Sequence, residues 1–236
     1  FEDTHFPYPN VPNPEPCGEE DIEKVLGNIK SPSQREYFKK RIVDIELKSI
    51  KDMKNKYDLA IVGIDNQIGR LREFLIKNKE WDNTLFIILS DHGDSLDEHG
   101  IYFSHAGLFD ESVHVPLIIK IPDFEKKEIN EFVQTVDIAP TILERFNEQR
   151  DYFDGKSIFP LIKYGTPLRD KVLLFDGLAE NIRAVRSKDK KIIIAEGNKC
   201  NLCKSEHHKK NEEYNLKKDP QELKNIYKEK KKTKEE

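Results

Sequence analysis

The feature that most constrains the fold is a short apolar run, residues 84–90, that leads directly into a carboxylate and an imidazole. The run is too short for a helix and turn residues flank it, which is typical of a strand buried on both faces in a parallel sheet. Residues 115–121 form a second such run, closed by Pro122. The loop between them, Asp91 to His114, has a length that in compact domains is usually functional or disordered.

Helical patterns lie on either side of these two strands. Within residues 33–79, apolar side chains recur three to four positions apart, which predicts a helix with one buried stripe. The stripe consists of Ile61, Ile64, Ile68, Leu71 and Leu75. Residues 81–83 predict a turn, and residues 136–146 predict another helix. This alternation predicts the α/β class, with a mostly parallel sheet flanked by helices.

The pattern changes after about residue 151. Lys171–Phe175, residues 182–186 and Lys190–Ala195 predict short strands, with a tight turn at residues 187–189 and a further strand near residues 214–216. A helix is expected from Pro220 onward. We therefore expect two units, an α/β unit of residues 1–150 and a small α+β subdomain of residues 151–236 with an antiparallel sheet and a Lys-rich tail.

Composition and charge argue against several classes of function. The formal net charge is −4 and the charges are interspersed, so we expect no nucleic-acid surface. No stretch approaches the roughly 20 apolar residues that a membrane span needs, so we expect no membrane segment in this chain. The three cysteines do not make a disulfide framework.

Asp91-His92-Gly93 is the strongest candidate for chemistry, because it stands where a predicted strand meets a loop. In open α/β sheets, ligands bind at that edge. Past the end of the strand the chain turns, so that the carboxylate and the imidazole can both reach one ion, and Gly93 would permit the turn. On this tripeptide alone, a turn aspartate followed by a surface histidine is an equally good interpretation.

The surrounding block, residues 90–119, closely resembles the signature around the second half of the sulfatase active site. In that family the order is Ser-Asp-His/Asn-Gly-Glu, Gly-Glu-His-Gly, Lys or His, Tyr-Glu-Glu and Arg-Val-Pro-Leu-Ile. The corresponding elements here are Asp91-His92-Gly93, Asp97-Glu98-His99-Gly100, Ser104-His105, Phe109-Asp110-Glu111 and His114-Val115-Pro116-Leu117-Ile118. Asp3-Thr4-His5-Phe6-Pro7-Tyr8 resembles the upstream His-x-Pro-Tyr element, and residues 134–141 resemble a Thr-Val-Asp-Ile-Ala-Pro-Thr helix.

The resemblance implies a metal-dependent sulfuric ester hydrolase of the alkaline phosphatase superfamily, acting on a sulfated small molecule or glycan. Residues 1–150 would be the C-terminal part of its α/β domain. Asp91 and His92 would bind a divalent cation. The ion is usually calcium in this family, although an imidazole ligand also suits manganese or zinc. His5 would donate to the leaving-group oxygen.

His105, or with less support Ser104, would replace the lysine that neutralises the sulfate in the family. No lysine lies between His99 and Lys120. Unlike a lysine, a histidine loses its charge near neutral pH. We expect structural roles for His99 and His114.

The nucleophile motif of the family, Cys/Ser-x-Pro-x-x-Arg, is absent from the sequence. The resemblance implies that it lies upstream of Phe1, with a formylglycine made from its Cys or Ser, and that the isolated chain is inactive. Residues 30–35 contain a partial match, but Lys30 holds the nucleophile position. We interpret this segment as a helix N-terminus, with Ser33 and Glu36 in a capping-box arrangement.

Cys200-Asn201-Leu202-Cys203, with His207-His208 nearby, has the ligand types of a zinc site. The spacing is short and no second cysteine pair exists, which favours a surface loop or a local disulfide. For the whole chain, two alternatives to a sulfatase stay open. One is a phosphoethanolamine transferase or phosphodiesterase of the same superfamily, and the other is a non-catalytic, truncated domain.

Overall fold

The computed structural model describes residues 4–6, 8, 11–12, 22–42, 49–148, 152–177, 182–196 and 199–228. Its α-helices are α1 (Ile22–Asn28), α2 (Pro32–Ile42), α3 (Ile50–Lys77), α4 (Asp110–Val113), α5 (Ile138–Arg145) and α6 (Phe159–Tyr164). Its strands are β1 (Phe86–Leu89), β2 (Leu117–Lys120), β3 (Lys171–Phe175), β4 (Ile182–Ser187), β5 (Lys190–Ala195) and β6 (Asn211–Asn215). Asp3 and Pro7 of the upstream block, and most of the predicted Lys-rich tail, lie outside the described residues.

Helix α2 begins where the sequence predicts a helix N-terminus, but with a different cap. Ser31 Oγ accepts a hydrogen bond from the Gln34 N–H at 3.3 Å, so Ser31 caps the helix. Ser33 lies inside the first turn, and Glu36 pairs with Lys40 at 3.0 Å instead of completing a capping box. The segment is therefore a helix start, as predicted.

Helix α3 contradicts the predicted buried stripe. Its buried side chains, among them Met53 and Ala60, lie in the first half of the helix. Of the predicted stripe, Ile61 and Leu71 are 45% and 47% exposed. The first half packs against an aromatic core, whereas the second half extends past it and gets little cover from the described part of the chain. The predicted turn after it is present at Trp81–Asn83.

Strands β1 and β2 form where they are predicted, but they pair with each other in antiparallel fashion. Phe86 lies opposite Lys120 and Leu89 opposite Leu117. The prediction of two parallel strands buried on both faces is therefore wrong for this pair. A parallel connection needs a crossover, usually a long helix, whereas the segment from β1 to β2 contains only a 3-10 turn at Glu98–Gly100 and the single turn of α4.

The C-terminal region holds the predicted antiparallel sheet, in the order β3-β4-β5-β6. The helix expected from Pro220 is wrong, because residues 222–228 are not helical. Glu222 is buried, with Oε1 2.7 Å from the ammonium group of Lys191, and the Ile226 N–H donates to the Glu213 carbonyl at 2.9 Å. These contacts hold the segment along β6.

Two apolar clusters meet at the loop between β1 and β2. Phe103 packs in the aromatic core with Phe6, Tyr8 and Phe38, and its ring stacks parallel to that of Phe38. Leu108 and its neighbours pack in a second cluster against the C-terminal sheet. The loop is thus fixed on both sides. Among the described residues, no helix combines the length and the apolar character that a bilayer span requires.

Candidate active site

The turn after β1 is held by short local bonds. The Ser90 hydroxyl donates to the His92 carbonyl at 2.6 Å, and Asp91 Oδ1 accepts from the His92 N–H at 3.0 Å. The Gly93 N–H donates to the Ser112 carbonyl at 2.9 Å, and a Cβ at Gly93 would stand 2.0 Å from the Glu111 carbonyl oxygen. Gly93 is needed for this close approach of α4, and its φ angle is not in the left-handed region.

The structure brings together three of the histidines that the sequence singles out. The rings of His92 and His105 stack with centroids 4.0 Å apart. The His5 ring lies 6.3 Å from that of His92 and 6.0 Å from that of His105. His5 itself stands in an exposed turn whose carbonyl accepts from the Tyr8 N–H at 2.8 Å. The three rings therefore face one small region of the surface.

Asp94 belongs to the same group, although no role is predicted for it from the sequence. Its Oδ1 lies 3.7 Å from His105 Nδ1, and its side chain is only 8% exposed. His92, Asp94 and His105 each offer a ligand atom within 4.8 Å of the others. The available signal was the acidic residue two positions after His92, where the family has glutamate.

A backbone bridge explains how Asp94 and His105 meet. The Ser95 N–H donates to the Ser104 carbonyl at 3.0 Å, and the Ser104 N–H donates back to Ser95 at 3.2 Å. The residues just outside this bridge, Asp94 and His105, are consequently neighbours. Ser104 is buried at this bridge, whereas the His105 side chain is 24% exposed.

Asp91 stands at the outer edge of the group. Its side chain is 88% exposed, and Oδ2 lies 3.9 Å from His92 Nε2. Partial burial raises the pKa of its carboxyl, but the nearby His92 charge and the His92 N–H bond outweigh this effect and hold that pKa below its usual range. Two donor atoms at this separation can share one divalent ion, whose bonds to oxygen or nitrogen are about 2.0–2.6 Å long.

The residues present fit a bound cation. Asp94 Oδ1 and Tyr8 Oη are buried and have no hydrogen-bond partner among the described residues. Burial raises the pKa of Tyr8, and the negative charge of Asp94 raises it further. A buried carboxylate oxygen without a partner is costly, and a divalent ion beside it would remove that cost.

His99 has the structural role that the sequence predicts. Its ring lies parallel to the Phe109 ring at 3.6 Å, and its Nε2 is 3.4 Å from Glu111 Oε2. Burial lowers the pKa of His99, which favours the neutral ring. His114 is exposed between α4 and β2, and among the described residues its ring does not pack on those of His5, His92 or His105.

Two protein-family models match this chain. Residues 97–235 match the family model described as N-sulphoglucosamine sulphohydrolase, C-terminal. Residues 1–148, more than half of the chain, match the model described as Sulfatase. The chain belongs to the sulfatase family.

Curated relatives of this sulfatase-family chain include sulfatases and a multifunctional protein of the alkaline phosphatase superfamily. The multifunctional alkaline phosphatase superfamily protein PehA of Trinickia caryophylli is 35% identical over 50% of this chain and 24% of its own length. Choline-sulfatase of Rhizobium meliloti is 28% identical over 56% of this chain and 26% of its own length. N-acetylglucosamine-6-O-sulfatase of Bacteroides thetaiotaomicron is 34% identical over 45% and 20%, respectively.

Solved structures agree with the family and its fold. The structure of BT4656 in complex with its substrate D-glucosamine-2-N,6-O-disulfate superposes with a TM-score of 0.64 and 26% identity, covering 87% of this chain and 40% of that one. Phosphonate monoester hydrolase of Agrobacterium radiobacter gives 0.62 and 26%, covering 75% and 37%. The α/β, alkaline phosphatase-like class is thereby confirmed. The chain spans less than half the length of these relatives.

Proposed function

We propose that this sulfatase-family chain contributes the metal-facing and substrate-facing part of an active site, and that the whole protein hydrolyses a sulfate ester. The observation that carries the proposal is the convergence of His5, His92 and His105, which lie in separate parts of the sequence yet have ring centroids 4.0–6.3 Å apart. A sulfated sugar is the favoured substrate class, because two of the relatives are named for or solved with sulfated glucosamine.

Asp91 and His92 are the proposed metal ligands, and Asp94 extends the set. Their oxygen and nitrogen atoms suit calcium, with manganese or zinc as alternatives. When bound, the ion would stabilise negative charge on the sulfate oxygens. Asp91 and His92 hold one wall of the site, and Asp94 adds a buried negative charge that balances the cation.

His5 and His105 act on the two ends of the ester bond. When the S–O bond breaks, negative charge develops on the leaving-group oxygen, and His5 donates a proton there. His105 lies beside the sulfate and gives a charged hydrogen bond while it is protonated. Asp94, 3.7 Å from His105 Nδ1, orients that ring.

The nucleophile would come from residues outside this sequence, as a formylglycine in the family motif. We therefore expect the 236-residue chain to be inactive by itself on aryl sulfates. A second candidate function is hydrolysis of a phosphate diester or phosphonate monoester. The similarity to PehA and to the phosphonate monoester hydrolase favours it over a non-catalytic role.

Binding experiments on the chain test the metal site. Isothermal titration with calcium and with manganese should give one site per chain. His92→Ala should weaken it at least about 10–100-fold, as loss of a metal-site group does. His114→Ala, which removes an exposed histidine, is the matched control and should bind as the unmodified chain does. Equal metal affinity of the unmodified chain, His92→Ala and His114→Ala would contradict His92 as a metal ligand.

Hydrolysis assays then separate the two reactions. We expect the whole protein to cleave 4-nitrophenyl sulfate faster than bis(4-nitrophenyl) phosphate, and the 236-residue chain to cleave neither. The opposite preference would assign the second function. Turnover of the sulfate by the chain alone would mean that the nucleophile lies within these residues.

A further inference from the structure

Cys200 and Cys203 lie in a buried hairpin, not in the surface loop that the sequence favoured. They are 1% and 4% exposed, and both thiols are free, so the predicted local disulfide is not formed. His207 Nε2 stands 3.1 Å from Cys203 Sγ. One ligand atom from each of these three residues lies within 4.8 Å of the other two.

Backbone hydrogen bonds close the hairpin that carries the two cysteines. The Cys200 N–H donates to the Ser205 carbonyl at 2.9 Å, and the Lys204 N–H donates to the Cys200 carbonyl at 2.9 Å. Lys204 adopts a left-handed φ of 58°, which closes the turn immediately after the second cysteine. Lys199 and Glu206 form a bridge at the base of the hairpin.

The ligand set and its spacing match zinc. Zinc binds thiolate sulfur at about 2.3 Å and imidazole nitrogen at about 2.0–2.1 Å in a tetrahedron, so neighbouring ligand atoms lie between three and four ångströms apart. The Cys203–His207 contact is in this range before any adjustment. Three ligands come from the hairpin, which leaves the fourth position for water or one more donor.

We propose that Cys200, Cys203 and His207 form a structural zinc site that fixes the shape of this hairpin where it rests on the start of α2. Ser205 Oγ lies 2.6 Å from Ser31 Oγ and 3.2 Å from Ser33 Oγ, so the hairpin already rests on that helix N-terminus. The site is independent of the proposed ester hydrolysis, because it shares no residue with the histidine cluster.

The site also borders the loop that carries the histidine cluster. A cleft beside the cysteines is lined by Tyr37 of α2 and by Tyr102 and Ser104 of the loop. Ser104 directly precedes His105. A zinc ion here would therefore stiffen the support behind His105 without touching substrate.

Zinc content and X-ray absorption of the purified chain test the proposal without any substitution. We expect about one zinc per chain with sulfur neighbours at about 2.3 Å. Zinc bound only to oxygen and nitrogen would belong to the histidine cluster and would overturn the proposal. So would a zinc-free chain, or one in which mass spectrometry finds Cys200 and Cys203 joined as a disulfide.

A variant pair adds an independent comparison. His207→Ala should lower zinc affinity by at least about 10–100-fold, measured by competition with a chromogenic chelator. His114→Ala, the matched control, should retain the affinity of the unmodified chain. Circular dichroism checks that both variants fold, and undiminished affinity in folded His207→Ala would overturn the assignment. If that variant does not fold, the absorption spectrum of the unmodified chain decides.

Discussion

The rings of His92 and His105 stack with centroids 4.0 Å apart, although His92 lies at the start of the loop between β1 and β2 and His105 lies in its middle. The backbone bridge between Ser95 and Ser104 brings these two parts of the loop together, since it sets Asp94 beside His105 and His92 lies only two residues before Asp94. The candidate site is therefore a property of the folded loop as a whole, and changes in its backbone should affect metal binding as much as changes in the ligands.

Asp94→Asn tests the role of the buried carboxylate. The substitution keeps the shape of the side chain but removes the negative charge that faces His105 Nδ1 at 3.7 Å. We expect calcium and manganese affinity to fall about 10–100-fold in isothermal titration. Asp65→Asn, which removes an exposed carboxylate on α3, is the matched control. If both variants bind as the unmodified chain does, Asp94 has no part in the metal site.

Gly93→Ala tests whether close backbone packing positions the site. A Cβ at this residue would stand 2.0 Å from the Glu111 carbonyl oxygen, so the turn and α4 must move apart. We expect a loss of about 1–3 kcal/mol in the free energy of unfolding, together with weaker metal binding. Denaturant titration and calorimetry measure the two effects.

Gly63→Ala provides the control for that substitution. Gly63 lies on α3 with nothing within 4 Å of an added Cβ. Replacing a helical glycine by alanine should stabilise the chain by up to about 1 kcal/mol and leave metal binding unchanged. Equal behaviour of the two alanine variants would contradict a packing role for Gly93.

Much of the site was accessible from the sequence, because its residues stand in an ordered block with family spacing. Asp91, His92, His105 and His5 are named by motif alone. Asp94 was missed, since its meeting with His105 depends on a bridge between Ser95 and Ser104 that no local pattern encodes.

The errors in the fold have the same physical origin. The apolar stripe at Ile61 and Leu71 is real, but periodicity tells which face of α3 is apolar and not what covers it. The apolar character of β1 and β2 predicts strands, but their direction depends on the path of the loop between them. The predicted helix after Pro220 does not form, because a tertiary contact, the buried ion pair of Glu222 with Lys191, holds this segment in a different conformation.

Asp137 gives a prediction about stability and pH. It is fully buried and forms a two-bond ion pair with Arg169, one bond of which is 2.7 Å long, and it also accepts from the backbone N–H of Lys156 at 2.8 Å. Burial raises the pKa of the Asp137 carboxyl, but Arg169 and the backbone donors outweigh this effect and lower it below the ordinary 3.8. The charged pair therefore stabilises the fold above about pH 4 and loses this effect as the pH falls through the lowered pKa.

Asp137→Asn should accordingly cost about 3–5 kcal/mol at pH 7, because it leaves Arg169 without its charged partner. The difference from the unmodified chain should shrink as the pH falls below about 4. Urea unfolding at several pH values measures both quantities. A difference that stays constant with pH would contradict the ion pair as the cause.

Lys191 carries the last prediction, because it is a fully buried ammonium group between two carboxylates. It lies 2.6 Å from Asp110 Oδ1 and 2.7 Å from Glu222 Oε1, and it donates to the Leu108 carbonyl at 2.9 Å. Lys191→Met leaves Glu222 buried without a counter-charge, so we expect a loss of about 3–5 kcal/mol in the free energy of unfolding.

The double variant Lys191→Met, Glu222→Met distinguishes charge from packing in the same experiment. Removing both partners also removes the uncompensated carboxylate, so the double variant should be more stable than Lys191→Met alone. A double-mutant cycle from urea unfolding then gives the coupling between the two side chains. If the losses in the free energy of unfolding of Lys191→Met and of Glu222→Met add up to that of the double variant, the ion pair does not hold the segment after β6 in place.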